Sequence, residues 1–349
     1  MVRNDLAATD LSTPQVRQAL AAELCDYLDA PGIEIHTAQR LSGGAIQENW
    51  ALDLSVAAGR HAGRHAWVLR TDAPSAVSAS LGRAEEYAVL SRVAAAGVQV
   101  PTPLLLVPDS QALGRPFFLM QRLYGVASGH LLTGKQALAN PDALLGDLAT
   151  SLARLHSITP AQADLAFLQP SQQAPAATAI AQYRAYLDSL QEPQPVLEWG
   201  LRWCERHMPE ALADRLIHRD FRTGNYLVDD GRLSGILDWE FAGFGDPRED
   251  LGWFSARCWR FAAPGCAAGG IGSLERFLQA YHEAGGQALA LADITYWQVM
   301  AHLRWGVIAL QQAQRHLSGQ ERSLELALTG RLLPELEIEI LHLTQEPAR

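Results

Sequence analysis

Residues 216–225 read LIHRDFRTGN, and thirteen positions past Asn225 stands Asp238, in ILDWE. Between them lie an apolar run, YLV, a turn, DDGR, and a second apolar run, LSGIL. Two short apolar runs separated by a Gly-containing turn predict a β-hairpin. Antiparallel pairing returns a chain to the end it started from, so Asn225 and Asp238 are expected close together at the open end of the hairpin. Asp220 lies in the loop leading into it. One carboxylate, one amide oxygen and a second carboxylate then converge on a single spot.

Oxygen ligands of this kind suit Mg²⁺, which keeps several waters and is usually held by one or two carboxylates together with substrate phosphates. The remaining aspartate is placed to accept a proton. Phosphoryl transfer asks a protein mainly to position groups and neutralise charge, with an aspartate orienting the attacking hydroxyl and an Asn/Asp pair holding metal. The order His218, Arg219, Asp220, four residues, Asn225 matches the catalytic-loop spacing of kinases. Asp and Asn beside a hairpin are also common turn and capping residues. The joint pattern of loop spacing, hairpin and distal aspartate favours chemistry, with His218 assigned to packing and hydrogen-bonding the loop.

Composition removes other classes. With 48% hydrophobic and 19% charged residues over 349 positions, the chain has the interior of a folded globular protein rather than the profile of a disordered one. A formal net charge of −10 offers no basic footprint for nucleic acid or anionic membrane. Cys25, Cys204, Cys258 and Cys266 lack the paired spacing of a zinc or redox site and read as reduced structural thiols. The N-terminal stretch MVRNDLAATDLSTPQ has no apolar core for a signal peptide and no run is long enough to cross a bilayer, so a cytoplasmic protein is expected.

Along the chain two patterns follow one another. From about Gln39 to Leu123 short alternating or apolar runs predict strands, interrupted by one helix over roughly Leu81 to Ala96, on which Glu86, Leu90 and Val93 share a face. After Gly125 the periodicity is helical, as in DALLGDLATSLARLHSI. The expected fold is α+β: a small antiparallel-sheet lobe over 1–124 and a larger helical lobe over 125–349, with a ligand cleft between them. GHLLTGKQ, Gly129 to Gln136, nearly spells a phosphate-binding P-loop, but Gln136 stands where Ser or Thr should reach a metal, and Lys135 reads as a solvated loop residue.

HRDFRTGNYLVDDGRLSGILDWEFAGFGDPREDL resembles the aminoglycoside phosphotransferase and choline kinase group, small-molecule kinases with a protein-kinase-like fold. The likeness runs from RLSGGAIQENW to HLRWGVIALQQAQRH, most of the chain. It implies ATP or GTP as phosphoryl donor, Asp220 as catalytic base, and Asn225 and Asp238 as Mg²⁺ ligands. It also implies that Asp250 braces the catalytic loop, although a carboxylate in the first turn of a helix is favoured in any case.

On the nucleotide side, Ser42, Gly43 and Gly44 form a turn between two expected strands, which suits any hairpin; the resemblance implies that its amides approach phosphate. It implies too that the backbone of Gln121 and Leu123 meets the base. Where kinases carry a lysine on the third strand, this chain has Arg70, with Glu86 as its expected partner. That replacement keeps open a second reading, a catalytically weak or inactive nucleotide-binding protein of the same fold. DWE in place of Asp-Phe-Gly, with no activation segment following, sets the chain apart from protein kinases.

For the acceptor, Arg222 follows Asp220 by two residues, and Arg257 and Arg260 are expected to share a helix face with Trp253. Arginines recognise carboxylates and phosphates by paired hydrogen bonds. The resemblance is nearest to the kinase-like domains associated with acyl-CoA dehydrogenases, which implies a hydroxy acid or its thioester rather than a polycationic aminoglycoside.

Overall fold

The computed structural model describes residues 10–41, 47–72, 80–134, 138–162, 164–170 and 174–345. Ser42, Gly43 and Gly44, and also Lys135 and Gln136 of the near-P-loop, lie outside the described residues. The chain forms two compact units. One comprises Met1–Tyr124 and Gly235–Phe241, the other Gly125–Ser234 and Ala242–Arg349.

The first unit is built on strands β1 (Ile33–Arg40), β2 (Gln47–Val56), β3 (Gly63–Asp72), β4 (Pro103–Val107) and β5 (Phe117–Gln121), with helices α1 (Pro14–Leu28) and α2 (Arg83–Ala95). The sheet order is β1-β2-β3-β5-β4, each neighbouring pair antiparallel. Alternation sorts the side chains. Trp50, Leu52 and Leu54 of β2, Trp67 and Leu69 of β3 and Leu119 of β5 form one core with Leu20, Ala21 and Leu24 of α1. Arg70 therefore points to the opposite face, and the β2–β3 register sets it beside Asn49. In α2, Glu86, Val89, Leu90 and Val93 are buried, as the i, i+4, i+7 reading required. The late segment of this unit is tied in by main-chain bonds: Ile236 N donates to Gln99 O, and Leu81 N to Glu240 O, each at 2.8 Å.

In the second unit α3 (Gly129–Thr133), α4 (Pro141–His156), α5 (Pro175–Asp188) and α6 (Pro195–Arg206) precede β6 (Arg215–Ile217), β7 (Tyr226–Asp229) and β8 (Arg232–Ile236), the last of which runs on into the first unit. Then come β9 (Gly243–Gly245), α7 (Arg248–Ser255), α8 (Leu274–Glu283), α9 (Leu291–Leu317), α10 (Leu324–Gly330) and α11 (Leu333–Leu343). Tyr296, Val299, Met300 and Leu303 of α9 form a core with Ala176 and Ile180 of α5, Leu197 and Leu201 of α6 and Ile340 of α11. Helix α7 lies so close to α9 that a Cβ on Gly252 would fall 2.4 Å from Trp297 Cβ; only glycine fits there.

β7 and β8 pair as the expected hairpin. Its two central turn residues, Asp230 and Gly231, have φ of +46° and +72°, the mirror-image turn whose twist matches that of the strands. β6 pairs antiparallel with β9, Ile217 opposite Gly243, which anchors the chain one residue before His218. Among the described residues no helix is long and apolar enough to cross a membrane.

Candidate active site

The loop between β6 and β7 carries His218, Arg219, Asp220, Arg222 and Asn225. Arg219 adopts φ +63°, uncommon for a residue with a side chain, and turns the following Asp220 out of the strand direction. Asp250, on the first turn of α7, holds the two amides leading into that bend: His218 N donates to its Oδ2 at 2.8 Å and Arg219 N to its Oδ1 at 2.7 Å. His156, the last residue of α4, adds Nε2 at 3.1 Å, and its Nδ1 lies 2.8 Å from the Tyr281 hydroxyl. With Nε2 carrying the proton, every bond in this chain has a donor and an acceptor. Burial raises the Asp250 carboxyl, but the His156 hydrogen bond, the electrostatic pull of the two neighbouring imidazoles and the His218 amide outweigh it and hold the group below its ordinary 3.8. The brace on the loop between β6 and β7 is thus an ionised carboxylate.

Asp220 is gripped by three side chains. Asn225 Nδ2 donates to Oδ2 at 2.5 Å and also to the Asp220 main-chain oxygen at 3.0 Å. Trp253 Nε1 donates to Oδ1 at 2.8 Å, and Arg222 Nε to the same oxygen at 3.2 Å. The Arg222 guanidinium stacks on Trp259, 4.4 Å from the ring centroid, and that of Arg304 on Trp253, at 4.5 Å. Trp253 and Trp259 are themselves neighbours, 5.2 Å between centroids. Aromatic faces thus fix the guanidinium that bonds the carboxylate, Arg222 on Trp259, and another, Arg304, on the tryptophan that bonds it. Because both protons of the Asn225 amide go to Asp220, its carbonyl oxygen is the atom left for a cation.

Asp238 lies two residues past β8 with φ +60°. Its Oδ1 accepts from Arg70 Nη1 at 3.0 Å. Arg70 is 3% exposed, and its Nε lies 3.0 Å from Glu86 Oε1. Asn49 Oδ1 takes a weaker bond at 3.3 Å, and Glu240 Oε2 is 4.0 Å from Nη2. Desolvation would weaken the guanidinium's hold on its proton, but Glu86, Asp238 and Glu240 more than offset it, and the proton affinity rises. Glu86 also pairs with the buried Arg83, which reaches Asp72 at 2.9 Å. Glu85, on the other face, instead caps the helix by accepting from Gly82 N at 2.9 Å. Burial pushes the Glu240 carboxyl up, opposed by the Gln47 amide at 2.6 Å and by Arg70.

Of the expected nucleotide residues, Arg70 and Glu86 meet. Gln121 ends β5, and its amide is spent on Thr102 O at 2.9 Å, so its carbonyl is what remains for a ligand. Leu123 follows it, half-buried. The acceptor side needs a correction. Arg257 and Arg260 do not share a helix with Trp253, because α7 ends at Ser255. Arg260 Nε and Nη2 cap the Ser255 carbonyl at 3.1 and 2.7 Å, satisfying a terminal oxygen of the helix. Arg257 falls in a 3₁₀ turn, 4.0 Å from Glu339. Trp253 is 3% exposed and bonds the aspartate itself.

Arg304, Asn49, Glu240, Arg83 and Trp259 were not singled out from the sequence. Glu240 had a cue in ILDWE, two residues past Asp238. Arg83 had one in its i, i+3 spacing to Glu86; Arg304, Asn49 and Trp259 had no spacing to announce them.

A model of the phosphotransferase enzyme family matches residues 37–300. The chain belongs to that family. Among curated proteins it is 24% identical over 331 residues to acyl-CoA dehydrogenase family member 11 of Pongo abelii, covering 88% of this chain and 42% of that protein; the chain thus spans about two fifths of this relative. Among solved structures, a candidate aminoglycoside phosphotransferase of Ralstonia eutropha superposes with a TM-score of 0.76 at 18% identity, over 95% of this chain and 99% of the other. A thermostable aminoglycoside phosphotransferase variant in complex with ADP and hygromycin B gives 0.59 at 16% identity, over 93% and 98%. The fold is accordingly the α+β, protein-kinase-like one, with an antiparallel sheet in one part and helices dominating the other.

Proposed function

We propose that this phosphotransferase moves the γ-phosphoryl group of ATP or GTP to the hydroxyl of a small molecule, with Asp220 as catalytic base and Asn225 and Asp238 as ligands of Mg²⁺. The observation that carries the reading is the triple grip on Asp220 by Asn225, Trp253 and Arg222. A carboxylate fixed this tightly can orient an attacking hydroxyl, and orientation is what phosphoryl transfer needs.

The donor set fits a hard cation. Among the described residues no group of three or more His, Cys, Asp or Glu stands ready to bind a metal, whereas one amide oxygen and one carboxylate leave room for phosphate oxygens and water around Mg²⁺. Bound there, the ion would neutralise phosphate charge. Asn225 then presents its carbonyl oxygen while its amide protons hold Asp220. Arg70 orients Asp238 through Oδ1.

For the acceptor we favour an anionic alcohol, a hydroxy acid or its thioester. Arg222, beside Asp220, supports this, as does the likeness to a protein named for acyl-CoA dehydrogenase; hygromycin B, the ligand of one structural neighbour, is the contrasting choice. A second reading, a nucleotide-binding protein with weak or no turnover, draws on the burial of Arg70 among carboxylates where a phosphate-binding lysine would be exposed to ligand.

The deciding experiment is a turnover screen with Mg·ATP and Mg·GTP over hydroxy acids, their thioesters, amino alcohols and aminoglycosides. Asp220→Ala should slow transfer by roughly two to four powers of ten while nucleotide still binds. Parent-like turnover in that variant would remove Asp220 from the mechanism, and nucleotide binding without turnover of any acceptor would favour the second reading.

A further inference from the structure

We infer that Arg304, on α9, is a positioning residue for the catalytic loop, holding Asp220 by two routes at once. The inference rests on the phosphotransfer reading above for its kinetic consequences, but not for its geometry.

The first route is the main chain. Arg304 Nη1 donates to the carbonyl oxygen of Arg219. That oxygen belongs to the peptide plane whose N–H is that of Asp220, and the Asp220 amide donates in turn to His218 Nδ1 at 3.2 Å. A peptide is planar. Fixing its oxygen from α9 and its hydrogen from His218 fixes the direction in which Asp220 leaves the backbone. The second route is the side chain. The Arg304 guanidinium covers Trp253, and the indole N–H of Trp253 is one of the three donors on the Asp220 carboxylate.

Arg219 explains why such a clamp is wanted. With φ at +63° it sits in a region that glycine enters freely and other residues seldom do. Such a conformation persists only where surrounding contacts over-determine it. Its amide is held by Asp250, its guanidinium by Phe244 O at 3.0 Å, and its carbonyl by Arg304. Glu249 Oε1 lies 4.0 Å from Arg304 Nη1, only a distant partner, since burial pushes that carboxyl up. A lysine at 304 could reach one of these partners but has no plane to lay on the indole.

The test is a double-mutant cycle between Arg304→Met and Arg219→Gly, because glycine accepts the positive φ without help. Two readouts are taken. One is ADP release from Mg·ATP, with the acceptor found in the screen or with water. The other is deuterium uptake by the peptide 217–225. In the parent background Arg304→Met should lower kcat at least ten-fold with the KM for ATP within two-fold, and should speed exchange in 217–225 but not in α1. In the Arg219→Gly background the same substitution should cost less than three-fold. Equal losses in both backgrounds, a kcat within two-fold of the parent, or unchanged uptake in 217–225 would each overturn the inference. Should Arg304→Met exchange everywhere, Arg304→Lys takes its place, with a loss of at least three-fold required and the same coupling demanded. A parent that releases no ADP refutes the phosphotransfer reading instead, and the exchange data alone then decide the role of Arg304.

Discussion

The indole nitrogen of Trp253 donates to Asp220 Oδ1 at 2.8 Å, so a buried tryptophan on α7 touches the carboxylate assigned to catalysis. Trp253→Phe keeps the ring, its contacts with Trp259 and Trp305 and a face for Arg304, and deletes one hydrogen bond to a charged group. Such bonds are worth about 1.5–3 kcal/mol. A fall in kcat of roughly ten- to a hundred-fold, with little change in the KM for nucleotide, is expected from steady-state kinetics. A variant as fast as the parent would reduce Trp253 to packing.

Asp238→Asn keeps the shape and an acceptor for Arg70 while removing the negative charge offered to Mg²⁺. Isothermal titration of ADP should show an affinity lower by about ten-fold, or about 1.4 kcal/mol, when Mg²⁺ is present. Without the metal, parent and variant should bind alike. Equal affinities in both conditions would take Asp238 out of the metal site.

Glu86→Ala strips the shared partner from two buried arginines, Arg70 and Arg83. Breaking a buried pair from one side strands a charge and costs about 3–5 kcal/mol. The urea midpoint should fall accordingly. Glu85→Ala, which removes only a cap on Gly82, should cost about 1 kcal/mol. If the two substitutions proved equally harmful, the buried pair would not be the anchor of α2.

His302 on α9 is buried, and its Nδ1 lies 2.7 Å from Gln298 O, so the proton sits on Nδ1. Burial, only partly offset by that bond, pushes the imidazole down from its ordinary 6.5 to about 4. The unfolded chain therefore takes up the proton first. Stability is full above pH 6.5 and is lost as pH falls towards 4, by about 3 kcal/mol at about 1.4 kcal/mol per tenfold change in proton affinity. Asp250, held below 3.8, loses its own contribution only at still lower pH. Denaturant midpoints between pH 7 and 4 should fall steeply in the parent and more gently in His302→Gln; parallel curves would contradict the assignment.

What could be read from the sequence was whatever spacing encodes. The HRD-x4-N run, the DDGR turn and the face shared by Glu86, Leu90 and Val93 are local periodicities, and the hairpin and α2 obey them. Glu86 rather than Glu85 meets Arg70 because helical geometry decides it. The helix expected to carry Arg257 and Arg260 ends instead at Ser255, whose carbonyl Arg260 folds back to cap from five residues on, a local stop that no periodicity foretells. Arg304 reaches Arg219 from eighty-five positions away, and Asn49 meets Arg70 through strand register. Contacts of this kind are settled by packing, after the local elements have formed.

The first unit is completed by a late piece of chain, Gly235–Phe241, and this orders events during synthesis. When the ribosome has delivered β1 to β5, Arg70 already has Glu86 but neither Asp238 nor Glu240. The guanidinium then lacks two of its three carboxylates, and Gln99 and Leu81 lack the main-chain partners they find at Ile236 and Glu240. The sheet must wait, incompletely neutralised, while more than a hundred further residues are made. A fragment cut after Tyr124 would be an unfinished body, and a rearranged gene meant to yield a free-standing sheet unit must carry 235–241 with it.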